Sequence, residues 1–187
     1  MKKLIYLLVI AITLNCCSHH NDDQPVSEIS KLPPATQTGA NTAGCLVNGI
    51  AFLPKGYVVP GNLVCNYTDG ENFSLKISEK IFQGSTQMLR SVIFGSQNQN
   101  LHDNVGVSFA LGQNNYDGYS KFGTYVINGA FTDDPNYYST SSTITGEFKI
   151  TYFNYNQAII SGTFWYDAIN STGQKVEVRN GRFDMHY

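Results

Sequence analysis

Cys16, Cys17, His19 and His20, followed by Asp22 and Asp23, form the densest group of metal-type side chains in the 187-residue sequence. Structural zinc sites space paired ligands by two to four residues and hold them in a folded loop. Contiguous pairs do not fit that geometry, and the residues upstream give the cysteines another chemistry. Met1, Lys2 and Lys3 make a basic tip, and Leu4 to Leu14 is an apolar run interrupted only by Thr13. A spanning helix needs about 20 apolar residues and a secretory leader roughly 7 to 15, so the run predicts a signal peptide. A cysteine just after such a run, with a small residue before it, marks a bacterial lipoprotein whose thiol is diacylated once the leader is cut away. Cys17 is the predicted lipidation site, with Leu14 three positions before it and Cys16 directly before it. Cys16 is the alternative, a poorer fit because Asn15 would precede the cut.

Elsewhere the chemistry-bearing side chains are sparse. There is no G-x-S-x-G, no H-E-x-x-H and no phosphate-binding P-loop. His102 with Asp103 lies in the polar stretch from Gln97 to Asn104 and reads as a surface residue rather than a general base; His186 is the penultimate residue. Asp133 and Asp134 are adjacent, so they point in different directions and read as a turn before Pro135, not as the facing carboxylates of a glycosidase. Asn114, Asn115 and Asp117 offer oxygens ahead of Gly118, but they lack the alternating acids and distant glutamate of a calcium loop, and turn chemistry explains them as well. The expectation is a non-catalytic protein with no metal and no other cofactor.

The surplus is aromatic. Tyr116, Tyr119, Phe122 and Tyr125 crowd one loop-strand junction, and Tyr137 and Tyr138 sit among Asp, Pro, Asn and Ser in another loop. Aromatic faces outside a core stack on sugars or anchor protein partners, burying large area at low entropic cost. Tyr116, Tyr119, Tyr137 and Tyr138 are therefore the candidate ligand-binding residues, with core packing as the competing role. Cys45 and Cys65 survive processing as an even pair in an oxidising compartment and suggest a disulfide. Two buried thiols acting as small hydrophobes are the alternative.

The elements that must position these residues read as strands. Aromatic residues make up 13% of the chain and charged residues only 14%, well under the roughly 25% of an average soluble domain. Tyr, Phe, Val, Ile and Thr suit a pleated, half-buried surface, and the frequent Asn and Gly supply the positive φ of tight turns. The clearest alternation puts Ile144, Phe148, Ile150 and Tyr152 on one face and Thr145, Glu147, Lys149 and Thr151 on the other. Next come Ile160, Gly162, Phe164 and Tyr166 opposite Ile159, Ser161, Thr163 and Trp165, with a loop between the two strands short enough to make them antiparallel neighbours. Asn-Gly dipeptides signal hairpins or bulges. Around Asn48-Gly49, Val47 would face Ile50 and Cys45 would face Phe52; around Asn128-Gly129, Val126 would face Phe131. A turn at Asn180-Gly181 would pair Val178 with Phe183 and Val176 with Met185, but it sets Arg179 against Arg182, so a bulge inside one longer strand is the alternative. Nine to eleven short strands in series predict an all-β antiparallel meander forming a β-sandwich or a small β-barrel.

The expected organisation is a lipoprotein signal peptide over 1–16, a lipidated cysteine and flexible tether over 17–40, and one folded domain over 41–187. A net charge of −2 with no basic cluster outside the leader argues against nucleic acid. The stretches Ala35 to Pro54 and Ile160 to Tyr187 together resemble a family of small lipoproteins of the Bacteroidota, of flavobacterial type, catalogued as a domain of unknown function. That resemblance implies a secreted, lipid-anchored β-domain and brings no catalytic or ligand residues. The expectation is a protein held to the outer membrane by its N-terminal lipid and exposed at the cell surface, or on the periplasmic face as the alternative. It would bind a glycan or an envelope protein partner, or serve as a structural accessory subunit of an outer-membrane complex.

Overall fold

The structure is a computed structural model that describes residues 26–112 and 121–187. Asn48 and Gly49, both at positive φ, turn β1 (Thr42–Val47) back as β2 (Ile50–Phe52), with Cys45 opposite Phe52 and Val47 opposite Ile50 as the dipeptide predicts. The Asp69-Gly70 turn likewise joins β3 (Leu63–Thr68) to β4 (Asn72–Gln83), and a tight hairpin continues β4 into β5 (Thr86–Gln97). The chain goes on through β6 (Ser108–Leu111), β7 (Lys121–Ile127), β8 (Tyr137–Ser139), β9 (Gly146–Asn154), β10 (Ile159–Ile169) and β11 (Lys175–His186). All eleven join one antiparallel sheet in the order β2-β1-β11-β10-β8-β7-β5-β4-β3, with β9 also flanking β10 and β6 flanking β9. No helix among the described residues is long and apolar enough to cross a membrane.

The sheet curls so that its inward faces share one core, which gives the sandwich-like all-β domain that the alternation predicts. Phe148 and Ile150 of β9 and Ile160, Phe164 and Tyr166 of β10 all point inward. They meet Phe73 of β4 and Phe94 of β5, whose rings stack on or tilt against Phe148, Phe164 and Phe183. The buried Tyr166 hydroxyl donates to the Thr124 carbonyl at 2.6 Å, fastening β10 to β7.

Three expectations need correction. Asn180-Gly181 is a bulge, not a hairpin turn: β11 runs unbroken from Lys175 to His186, and its pairings with both β1 and β10 slip register there. β11 is bonded on both edges, so folding it on itself would forfeit two ladders. Asn128-Gly129 does turn the chain, but β7 pairs with β8 (Val126 opposite Tyr137), leaving Phe131 in a loop. Residues 28–40, finally, expected to belong to a flexible tether, are docked on the domain. Glu28–Lys31 form a turn of 3₁₀ helix, the Glu28 carboxylate accepts from the Ala51 amide at 2.9 Å, and Leu32 is buried.

What holds residues 36–40 down is Asp184 of β11, only 1% exposed. Its carboxylate accepts from Thr36 Oγ1 (2.6 Å), the Thr38 amide (2.9 Å) and Oγ1 (3.1 Å), the Gly39 amide (2.8 Å), the Ala40 amide (3.2 Å) and Ser161 Oγ (2.8 Å). Burial alone would raise this carboxyl, but the donors from Thr36, Thr38, Ser161 and Gly39 outweigh it and hold the group well below the usual carboxylate range.

The disulfide is not formed either: Cys45 and Cys65 are free thiols. They lie on β1 and β3, which are not neighbours in the sheet, and both pack with the hydrophobic core. Burial pushes the Cys45 thiol far up and Cys65 to about 12, so neither presents a thiolate near neutral pH. Thiol titration should therefore find both inert at pH 8 in the folded chain and both reactive after denaturation without reductant. Silence after denaturation would restore the disulfide.

Candidate functional site

The bulge at Asn180-Gly181 builds a surface site. Along β11, Val176 and Val178 point inward and Glu177 and Arg179 outward; the extra residue then lets Gly181 and Phe183 resume the inward face while Arg182 returns outward. Two arginines three positions apart thus share one outer surface. Gly181 is required, because a Cβ there would lie 2.6 Å from the Phe164 ring. Asn180 supplies the positive φ that the bulge needs.

Across β10, Thr163 sits opposite Arg182 and Lys149, and Trp165 sits opposite Glu147 of β9. Trp165 is the only tryptophan in the chain and is 42% exposed. The Arg179 guanidinium lies 5.5 Å from the centre of its ring. With Ala35 of the docked N-terminal segment, these residues enclose a groove of about 380 Å³.

The two arginines differ in charge environment. Arg179 is engaged by Asp167, with Glu177 at 3.7 Å, and Lys175 bridges Asp167 and Glu177. Burial raises the Asp167 carboxyl, but Arg179 and Lys175 together hold it below its ordinary range. Arg182 has no carboxylate within ion-pair distance among the described residues, and Glu147 is hydrogen-bonded to Ser108 Oγ at 2.7 Å. The groove therefore offers a flat aromatic edge, a fixed cation, an available cation and the Thr163 hydroxyl. It presents no paired carboxylates and no nucleophile beside a base.

The residues singled out from sequence fare differently. Tyr116 and Tyr119, with Asn114, Asn115, Asp117 and Gly118, lie outside the described residues, as do Cys16 and Cys17. Tyr137 and Tyr138 form β8 rather than a loop, and Tyr138 is buried with its ring 5.8 Å from that of Tyr125, so it packs with the core. Asp133 and Asp134 do occupy a turn, closed by the Asp134 amide donating to the Phe131 carbonyl. His102 sits between two acids, Asp69 (3.1 Å) and Asp103 (3.0 Å), with no serine or cysteine partner among the described residues. The Tyr67 hydroxyl, donating at 2.7 Å, and His102 hold Asp69 below its usual range, so the cluster ties the 98–107 loop to the β3-β4 turn. No group of His, Cys, Asp and Glu among the described residues is arranged to hold a metal.

Trp165 was legible as an outward residue from the Thr163, Trp165 alternation. Its arginine neighbours were not, since they depend on the bulge. Comparison with family models, with curated proteins and with solved structures yields no match, so the site rests on its geometry alone.

Proposed function

We propose that this chain is a lipid-anchored β-domain of the outer envelope that binds a glycan without catalysis, in the groove bounded by Trp165, Arg179, Arg182 and Ala35. The supporting observation is the chain's sole indole, 42% exposed on paired strands beside an arginine with no ionic partner among the described residues. An indole face stacks on the apolar face of a sugar ring, and a guanidinium takes a carboxylate through two parallel hydrogen bonds. The fit is best for an acidic glycan bearing uronate groups.

The test is a panel of neutral and uronate-containing oligosaccharides read by intrinsic fluorescence, which reports this site directly because Trp165 is the only indole. Uronates should shift the emission; Trp165→Ala, which removes the reporter and is followed by titration calorimetry, should weaken binding at least about thirtyfold, in the range of aromatic hot spots, and Arg182→Gln should cost uronate affinity while sparing neutral sugars. A panel without a single binder overturns the reading. Digestion of the domain by protease on intact cells, with Cys17→Ala as the anchoring control, checks the surface location; protection in cells that still process the lipoprotein moves it to the periplasmic face.

A further inference from the structure

One end of the sheet gathers three turns and two loops. The β1-β2 turn at Asn48 is tied to Glu177 at the start of β11, and Asn170 of the β10-β11 turn reaches the Pro135 carbonyl of the β7-β8 loop. That loop is fixed in turn to Leu89, near the tip of the β4-β5 hairpin, by the Asn128 amide and Oδ1. The β2-β3 loop joins the same hairpin where Lys55 bridges to Glu79. On these pieces stand Ile50, Tyr57, Val59, Phe82 and Phe131, each between 65% and 86% exposed.

The described chain begins at this end. Glu28 is bonded to Ala51, the residue next to Ile50, and the exposed Val26 lies just before it. Because residues 28–40 are docked, only nine positions separate Cys17 from Val26, and covalent geometry limits that span to about 32 Å. A lipid on Cys17 would hold this end within about 32 Å of the bilayer.

We propose that this end faces the membrane and that Ile50, Tyr57, Val59, Phe82 and Phe131 enter the interfacial layer of the bilayer; the inference rests on the lipid-anchored reading above. Ile50 opens β2, Phe82 stands one residue before the end of β4, Tyr57 and Val59 share the β2-β3 loop and Phe131 lies in the β7-β8 loop, with Asp133, Asp134 and Lys80 close by in sequence. That spacing suits shallow entry among headgroups, where aromatic rings settle readily and charged neighbours stay wet. The opposite end holds His102 between Asp69 and Asp103 and would face away, with the Trp165 groove on the side of the domain.

The test uses the full lipidated chain, extracted in detergent and reconstituted into phosphatidylethanolamine and phosphatidylglycerol vesicles with brominated acyl chains. Phe131→Trp in a Trp165→Phe background places an indole at the proposed contact, and Phe82→Trp supplies a second probe should the first variant fold poorly. The new indole should lose at least half its emission, while native Trp165, on the side face, keeps its own. Protein that floats with the vesicles but shows no quenching at either position overturns the membrane-facing end and leaves the anchor standing. If those indoles are also shielded from acrylamide in native membranes, a protein subunit occupies this end instead. Failure to float overturns the anchor, and the inference falls with it.

Discussion

Asp184→Ala should be among the most damaging single substitutions in the domain. Removing the carboxylate leaves the Thr38, Gly39 and Ala40 amides and the Thr36 and Ser161 hydroxyls facing a void. Taking one partner from a buried, charge-assisted network costs about 3–5 kcal/mol, because the groups left behind are desolvated and unpaired. For a domain of this size each kcal/mol lowers the melting temperature by about 2–4 °C, so a fall of roughly 6–20 °C is expected in thermal unfolding. Hydrogen exchange should show residues 36–40 losing protection first. A variant that melts within a degree of the wild type would mean that the docked segment contributes nothing to the fold.

The same residue sets an acid dependence with a definite sign. The folded-state pKa of Asp184 lies below its unfolded value, so its contribution is complete above the ordinary carboxylate pKa of about 3.9 and drains as pH falls through that value toward the much lower folded one. Asp184→Asn cannot titrate. The stability gap between wild type and Asp184→Asn should therefore be constant near neutrality and narrow below about pH 5, as read from urea midpoints across the pH series. The narrowing should be accompanied by release of residues 36–40 in the wild type.

Asp184 also shows where reading the sequence stops. Alternation identified the inward faces of β9 and β10 because a strand with one wet side repeats every two residues, and that pattern is local. The Cys45–Phe52 register followed from a two-residue turn, again local. Nothing near Thr36 or Gly39 announces order: the segment has no apolar period, and its partner lies 148 residues away from Thr36. Tyr138 looked exposed because its neighbours in sequence are polar, whereas its burial comes from Tyr125 on another strand. The dipeptide that makes a hairpin at Asn48-Gly49 makes a bulge at Asn180-Gly181. The difference lies in the strands on either side of β11, and with it went the placement of Arg179 and Arg182 beside Trp165.

Phe94→Ala is expected to cost about as much as the loss of Asp184, for a different reason. Phe94 is fully buried on β5, and its ring centre lies 4.3 Å from that of Phe164 on β10 and 5.8 Å from those of Phe73, Phe148 and Phe183. With Phe73, which meets Phe148 and Phe183, it is thus one of two rings through which the β4-β5 half of the sheet touches the β9-β10-β11 half. Phenylalanine to alanine in a core costs about 3–5 kcal/mol, the removed apolar contact plus the cavity left behind. Collapse should be limited here, since the four surrounding rings sit on strands hydrogen-bonded to a neighbour on either side. Phe94→Leu, which keeps most of the volume, should recover more than half of the loss in melting temperature. If Phe94→Ala and Phe94→Leu melt together near the wild type, the two halves of the sheet are not joined through this ring. The acid series then separates the two sources of stability: the deficit of Phe94→Ala carries no titrating group and should stay constant with pH, while that of Asp184→Asn shrinks.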